Sequence, residues 1–401
     1  MSGQVMGETL PPPRNVIGPM GWLRDNLFSS WVNGMVTVLI GAALLWLVVT
    51  IGVWAVTEAR WTVVTNNLRL FLIGQYPADQ AWRILLNLGI ISVLAGLSAG
   101  AWGRATRAMA ITLSALQLML AALVIASPLG IVPAGVLVLN AALVWVAFLL
   151  ALRGWIPRRP LLIAWLLSLP ASYVLIGGVE GTPFPSVSSN VWGGLLLTVL
   201  LATVGIILSF PFGVLLALGR RSQLPVVRIL STGYIELIRG VPLVTILFMA
   251  DIILPLFLPG EWRLDRIARA MGGITLFSAA YVAENVRGGL QAIPSGQIEA
   301  SQALGLRGVQ TNLYIVLPQA LRAVIPANVG LFISLLKDTT LVTIIGLLEI
   351  LGISRAILAQ PDSFGAQMEA YVFIAAIFFV LCYAMSQASY RLERALGVGT
   401  R

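Results

Sequence analysis

Long apolar runs separated by short polar segments dominate the chain. A helix needs about 20 mostly apolar residues to cross the hydrocarbon core of a bilayer, and ten runs in this sequence approach or exceed that length. The predicted spans are residues 34–56, 84–102, 109–126, 131–152, 160–178, 193–218, 227–256, 267–290, 314–336 and 371–391. The pattern predicts an all-α integral membrane protein with about ten transmembrane helices.

The polar segments divide these runs into two transmembrane regions flanked by tails. Residues 58–83 mix aromatic and polar side chains, which is typical of a segment at the membrane interface. The Pro-rich N-terminal tail lacks a short apolar core followed by a cleavage site, so we expect a cytoplasmic tail and no signal peptide. The predicted parts are a cytoplasmic tail at 1–32, a transmembrane extension at 33–179, a periplasmic connector at 180–192, a transmembrane core at 193–394 and a cytoplasmic tail at 395–401.

Composition and charge support this picture. Only 10% of the residues are charged and the mean hydropathy is +0.93, whereas soluble domains carry about 25% charged residues. The net charge of +9 does not indicate nucleic acid, because ten of the 24 arginines lie in four short clusters between apolar runs. The clusters are Arg104/Arg107, Arg153/Arg158/Arg159, Arg220/Arg221/Arg228 and Arg391/Arg394. With a cytoplasmic N-terminus, ten spans place all of them inside, and a multi-pass bacterial inner membrane protein is predicted.

The reactive residues of the chain exclude several kinds of site. There is no histidine, and Cys382 is the single cysteine. The sequence therefore offers no disulfide framework, no His- or Cys-based metal site and no Ser–His nucleophile. We predict no catalytic residue, no bound metal and no cofactor held by this chain itself.

One polar segment, residues 294–318, lies between two apolar runs and combines small residues with charge. Its helical spacing predicts a short surface helix with one face formed by Ala300, Ala303, Leu304 and Arg307. Small side chains permit close backbone approach, so we expect this helix to dock into a cleft of a soluble partner.

The same segment resembles the EAA loop in membrane subunits of ATP-driven bacterial importers, whose pattern is EAA-x3-G-x9-I-x-L-P. The matching positions are Glu299, Ala300, Ser301, Gly305, Ile315, Leu317 and Pro318. The spacing is complete, and serine in place of alanine at position 301 is the one departure. The resemblance implies that Glu299, Ala300, Ser301, Gly305, Leu317 and Pro318 couple the chain to an ATPase. An ordinary amphipathic cytoplasmic loop is the alternative.

The resemblance continues over about residues 193–394. The blocks 234–243, 283–289 and 336–341 are similar to the polar amino acid branch of these importers, and the N-terminal half looks like its longer members for acidic and neutral polar or general L-amino acids. It implies a five-helix type I importer core. It also implies these partners: two ATPase copies, a second homologous permease, a periplasmic binding protein, a polar L-amino acid and membrane lipid.

ATP and magnesium would be bound by the partner ATPase, since the chain has no phosphate-binding loop. Its only lysine, Lys337, is followed by aspartate, whereas a phosphate-binding loop has serine or threonine there. Import driven by an ATPase is therefore predicted, and an ion-gradient-driven secondary transporter is the alternative. A membrane scaffold without transport is a third reading, which the charged residues inside the apolar runs disfavour.

A zwitterionic amino acid needs a cation or N–H donors for its carboxylate and an anion for its ammonium group. The candidate substrate residues are Glu284, Arg287, Asp338, Thr339 and Thr340. Glu284 and Arg287 lie three residues apart and share a helix face. They can equally neutralise each other, as Asp338 can neutralise Lys337. We predict a structural ion pair for Glu236 and Arg239 at a helix break, and assign no role to Asp251 or Glu349, which would face the subunit interface or the pathway.

Overall fold

The computed structural model describes residues 18–154, 157–179, 181, 184–257, 259 and 264–397. It contains two units, residues 1–60 and 61–401, which are described separately. All its regular elements are helical, with no strand in the described ranges beyond two isolated bridges. The prediction of an all-α membrane protein is confirmed.

The first unit contains a short helix and a long apolar one. They are α1 (Pro19–Asn26) and α2 (Trp31–Thr57). The Ser30 side chain accepts a hydrogen bond from the Asn33 backbone N–H at 3.2 Å and so caps α2. No residue of α2 is buried. A helix that is apolar on every side is stable in lipid, which agrees with the span predicted at 34–56.

The second unit begins with six helices of the N-terminal region. They are α3 (Thr62–Asn66), α4 (Leu68–Ile73), α5 (Trp82–Trp102), α6 (Arg104–Ile125), α7 (Ile131–Leu152) and α8 (Arg158–Gly177). Helices α5 and α7 pack closely, since a Cβ atom at Gly96 would lie only 2.1 Å from the carbonyl oxygen of Val144. Within segment 58–83, Phe71 is fully buried and packs edge-on against Phe373, with ring centroids 5.1 Å apart. Part of the segment expected at the interface is therefore inside the protein.

The next helices form the first half of the C-terminal region. They are α9 (Gly194–Arg220), α10 (Pro225–Arg239), α11 (Leu243–Phe248), α12 (Leu254–Phe257) and α13 (Arg266–Gln291), with a π-helical turn Met249–Ile253 between α11 and α12. Helix α10 meets α11–α12 at 109°. The span predicted at 227–256 is therefore bent, at the helix break predicted beside Glu236 and Arg239. Pro242 lacks a backbone N–H and is the N-cap of α11, which explains the break.

The chain then forms a loop with short helices and returns to long ones. These are α14 (Ser295–Ala303), α15 (Gly308–Gln310), a π-helical turn Thr311–Val316, α16 (Leu317–Ala323), α17 (Ile325–Asp338), a 3-10 segment Thr339–Ile345, α18 (Ile350–Leu358) and α19 (Gln367–Leu396). The span predicted at 314–336 is thus built from several pieces. The 3-10 segment and α18 pack against α9, and Glu349 caps α18.

Among the described residues, eight helices are long and apolar enough to cross a membrane, or nine if the bent pair α10 with α11–α12 is one span. Helix α13, predicted as a further span, is 26 residues long but is not in that set. It carries charged residues near both ends, which lower its hydropathy. At 1.5 Å per residue α13 is about 39 Å long, so the segments before and after it lie at opposite ends of the bundle.

Candidate coupling loop and substrate pathway

The coupling loop, defined here as residues 294–318, begins directly after α13 and presents α14 at one end of the bundle. Glu299 and Ala300 are exposed on α14. The helix ends at Ala303, and Gly305 follows with φ +81°, a left-handed conformation that glycine adopts without strain. Arg307 therefore lies beyond the helix, as the N-cap of α15. The prediction that it shares a face with Ala300 is wrong.

Ser301, the one departure from the importer pattern, is buried and ties the loop together. Its hydroxyl donates to the carbonyl oxygen of Ile298 at 2.7 Å and lies 2.9 Å from the Thr311 hydroxyl, which is also buried. This contact joins α14 to the π-helical turn on the far side of the loop. Sequence reasoning missed Thr311; the hydroxyl at a position where alanine is expected was the available signal.

Large apolar side chains of the coupling loop are exposed to solvent. Leu304 is 82% exposed, Val309 71% and Tyr314 70%. They lie beside small residues on a polar segment, and such an apolar patch on an otherwise polar loop marks an interaction surface. Leu317 and Pro318 begin α16, with Pro318 in the first turn, where its missing N–H is tolerated.

Glu284 and Arg287 belong to a network of five charged side chains near the end of α13 that leads into the coupling loop. The Arg287 guanidinium donates to both carboxylate oxygens of Glu284, as expected for residues three apart on a helix. Arg220 and Arg239 contact the same carboxylate at 3.5 and 3.4 Å. Arg220 also pairs with Glu236 at 2.8 Å. We call these residues the arginine–glutamate network; it joins the ends of α9, α10 and α13.

Glu236 and Arg239 do not pair with each other, so that part of the prediction is wrong. Each pairs with a different helix, because the residues of α10 face both α9 and α13. Glu284 lies seven residues before the end of α13, or about 10 Å along the axis. The network is therefore close to the coupling loop, well away from the other end of the bundle.

The other substrate candidates lie at the end of α17. Thr339 is fully buried, and its hydroxyl donates to the Leu336 carbonyl at 2.7 Å. The Thr340 hydroxyl donates to the Lys337 carbonyl at 2.8 Å. Asp338 is half-buried and forms no ion pair with any side chain that the structure describes. Of the three, Asp338 and Thr340 are partly exposed, whereas Thr339 is not.

Two acids without a predicted role have defined partners. Asp251 pairs with Arg266 and Arg269 at 3.4 and 3.2 Å. Glu349 is fully buried, and its carboxylate accepts hydrogen bonds from the Thr343 hydroxyl and from the backbone N–H groups of Leu351 and Gly352 at 2.6, 2.9 and 2.8 Å. The expectation that Glu349 faces an interface or pathway is wrong: it is an internal N-cap.

Apolar helices of membrane length, with charged residues near their ends and an exposed loop of small residues between two of them, define a polytopic membrane protein. Residues 209–397 match the family described as binding-protein-dependent transport system inner membrane component. Over 97% of its length the chain is 37% identical to the inner membrane amino-acid ABC transporter permease protein YhdY of Escherichia coli strain K12, covering 96% of that relative. It belongs to the family of amino-acid ABC transporter permeases and is a multi-pass inner membrane protein.

A second long relative agrees with this assignment. The chain is 36% identical to the glutamate/glutamine/aspartate/asparagine transport system permease protein BztC of Rhodobacter capsulatus, with 96% of this chain and 95% of the relative covered. The chain is also similar to a crystal structure of an amino acid ABC transporter with histidines, at 30% identity and a TM-score of 0.46, with 50% of this chain and 92% of that one covered. The alignments with the two long relatives include most of the residues before the matched range 209–397.

Proposed function

We propose that this permease imports polar L-amino acids, with acidic and neutral polar ones favoured, from a periplasmic binding protein into the cytoplasm. The substrate class is supported by the resemblance of residues 234–243, 283–289 and 336–341 to the polar amino acid branch, and by similarity to a relative named for glutamate, glutamine, aspartate and asparagine. The chain would form the pathway together with a second homologous permease in the lipid bilayer.

Energy would come from two copies of a partner ATPase, which bind ATP and magnesium. The observation that carries this proposal is the coupling loop. A short helix with small exposed residues, next to Leu304, Val309 and Tyr314, leaves apolar surface uncovered at one end of the bundle. A soluble ATPase that closes on ATP would bury this surface and transmit its movement from α14 through the π-helical turn Thr311–Val316 to α16 and α13.

Glu299→Lys tests the coupling. It reverses one exposed charge on the proposed contact surface, and a like-charge or unpaired contact there costs a few kcal/mol, on the order of a hundredfold in affinity. We expect loss of transport and of ATPase stimulation while the permease remains in the membrane. Gly305→Asp should act in the same way, because it adds bulk and charge at a close contact.

The matched controls are Glu299→Gln, which removes the charge without reversing it, and Asp362→Lys, which makes the same reversal at an exposed position in the segment between α18 and α19. Ala300→Cys in a Cys382→Ser background should form a cross-link to the ATPase through a short bifunctional reagent. Normal ATPase stimulation in Glu299→Lys and Gly305→Asp, together with no cross-link, would show that the loop is not the contact.

A further inference from the structure

A polar cleft of about 430 Å³ lies at the end of α13 opposite to the coupling loop. Three separate parts of the chain form its wall: Asn190 and Trp192 before α9, the start of α13, and Gly346–Leu348 after the 3-10 segment. Binding pockets for small molecules have volumes of about 300–1,000 Å³. The cleft has room for an amino acid, and none of the substrate candidates described above lines it.

The wall formed by the start of α13 carries two arginines. Arg266 and Arg269 share a single carboxylate, that of Asp251. The Arg269 Nε atom is buried and has no hydrogen-bond acceptor among the described atoms. Both arginines lie in the first turn of α13, where the helix dipole disfavours cations. Two guanidinium groups there, with one acid between them, leave capacity for a second anion.

The same wall carries an acid without a cation. Asp265 accepts a hydrogen bond from the Ser189 hydroxyl, yet it forms no ion pair with any residue in the part of the chain that the structure describes. Next to it, Trp192 is only 3% exposed, and its indole N–H has no acceptor among the described residues. A buried N–H without an acceptor is destabilising, and a bound molecule can supply the acceptor that this donor lacks.

We propose that this cleft binds the α-carboxylate and α-ammonium groups of an amino acid as an entry site, before the substrate reaches the interior of the permease. Arg266, Arg269 and the Trp192 N–H would hold the carboxylate, and Asp265 would hold the ammonium group. A docking protein is the less suitable occupant, because its acidic side chain would pair with the two arginines but would leave Asp265 without a cation. The remaining wall, Gly346–Leu348, offers apolar and backbone groups only. The cleft would therefore select zwitterions over other solutes, but it would select only weakly among amino acids with different side chains.

The proposal rests on the proposed function, and its test measures binding without the periplasmic protein. Asn190→Cys, in a Cys382→Ser background, places the only thiol of the permease at the exposed edge of the cleft. The complete importer in lipid nanodiscs is treated with a charged methanethiosulfonate, and the labelling rate is followed against L-glutamine concentration. Asp362→Cys in the same background, at an exposed position that does not line the cleft, is the control thiol.

We expect L-glutamine to slow labelling at Asn190→Cys and not at Asp362→Cys. N-acetyl-L-glutamine, which lacks the ammonium group, should protect poorly. Adding Asp265→Asn or Arg266→Gln removes one charge-assisted hydrogen bond, which should raise the concentration for half-protection about ten- to a hundredfold. Equilibrium binding of radiolabelled L-glutamine to importers with the native residue or Asp265→Asn should show the same change without any introduced thiol.

ATP-driven uptake by the same preparation, with binding protein added, separates the two proposals. If uptake is normal but neither labelling nor binding responds to L-glutamine, the entry site does not exist, while the proposed function stands. Equal protection by N-acetyl-L-glutamine would also overturn the proposal, since it would show an anion site alone. If Asp265→Asn changes only the affinity of the binding protein for the importer, the cleft is a protein-docking surface and the proposal is wrong.

Discussion

Replacing Glu284 by glutamine removes the central acid of the arginine–glutamate network. The carboxylate of Glu284 contacts Arg220, Arg239 and Arg287, while Glu236 contacts Arg220 alone. After Glu284→Gln, Arg239 and Arg287 have no carboxylate partner within the network, and three cations share one acid. The change therefore adds one uncompensated positive charge at the point where α9, α10 and α13 meet.

The expected loss of stability follows from the exposed fractions of the side chains. Breaking a fully buried ion pair costs about 3–5 kcal/mol and an exposed pair about 0–1 kcal/mol. Glu284 is 23% exposed and its three arginines 25–32%, so we expect Glu284→Gln to destabilise the fold by about 2 kcal/mol. Glu236 is 54% exposed, and Glu236→Gln should cost less than about 1 kcal/mol.

The assay is thermal unfolding in detergent, followed by the fluorescence of the 12 tryptophans. The double variant Glu284→Gln/Arg287→Gln restores the net charge of the network, so its loss of stability should be smaller than the sum of the single losses by about 1 kcal/mol. Equal losses for Glu284→Gln and Glu236→Gln would show that the contacts of Glu284 with Arg239 and Arg287 add no stability. If the double variant is as stable as the wild type but does not transport, Glu284 and Arg287 act in substrate binding or in coupling, and not in stability.

Three further predictions concern single contacts. Ser301→Ala leaves the buried Thr311 hydroxyl without its side-chain partner and should lower stability by about 1 kcal/mol, measured by the same unfolding assay. A further change of Thr311→Val should recover most of this loss, and no recovery would mean that the contact is incidental. Glu349→Ala leaves three donors unpaired and should cost about 1–3 kcal/mol, whereas Glu349→Gln keeps an acceptor and should cost less; equal losses would contradict the N-cap role. Asp338→Asn should raise the substrate concentration for half-maximal uptake about ten- to a hundredfold, with assembly and basal ATPase activity unchanged. If the double variant Lys337→Met/Asp338→Asn takes up substrate like the wild type, Asp338 is only a counter-ion.

The span positions could be read from the sequence because a membrane helix is defined by local composition over about 20 residues. The predicted span 131–152 coincides with α7, and 34–56 lies within α2. The start of α14 after Pro294 follows from equally local signals. The importer pattern is also local, since its residues fall in one segment of the chain.

The charge partners could not be predicted, because they depend on which helices meet. Arg220 and Glu284 are 64 residues apart in the chain, and nothing in either segment indicates the other. The 109° bend at Gly240–Pro242 had a visible cause, but its angle is set by packing against α13. The buried position of Arg83 was equally hidden: it donates to the Pro185 carbonyl at 2.9 Å, whereas its neighbours in sequence suggested an interface.

In the proposed function, ATP hydrolysed by a partner drives amino acid import through this permease. The most direct measurement is uptake of radiolabelled L-glutamate and L-glutamine into vesicles containing the complete importer, with the binding protein outside and ATP inside. We expect uptake that needs ATP, stops with vanadate and continues when ionophores dissipate proton and sodium gradients. Uptake that persists with vanadate and collapses with the ionophores would contradict it and identify an ion-gradient-driven transporter.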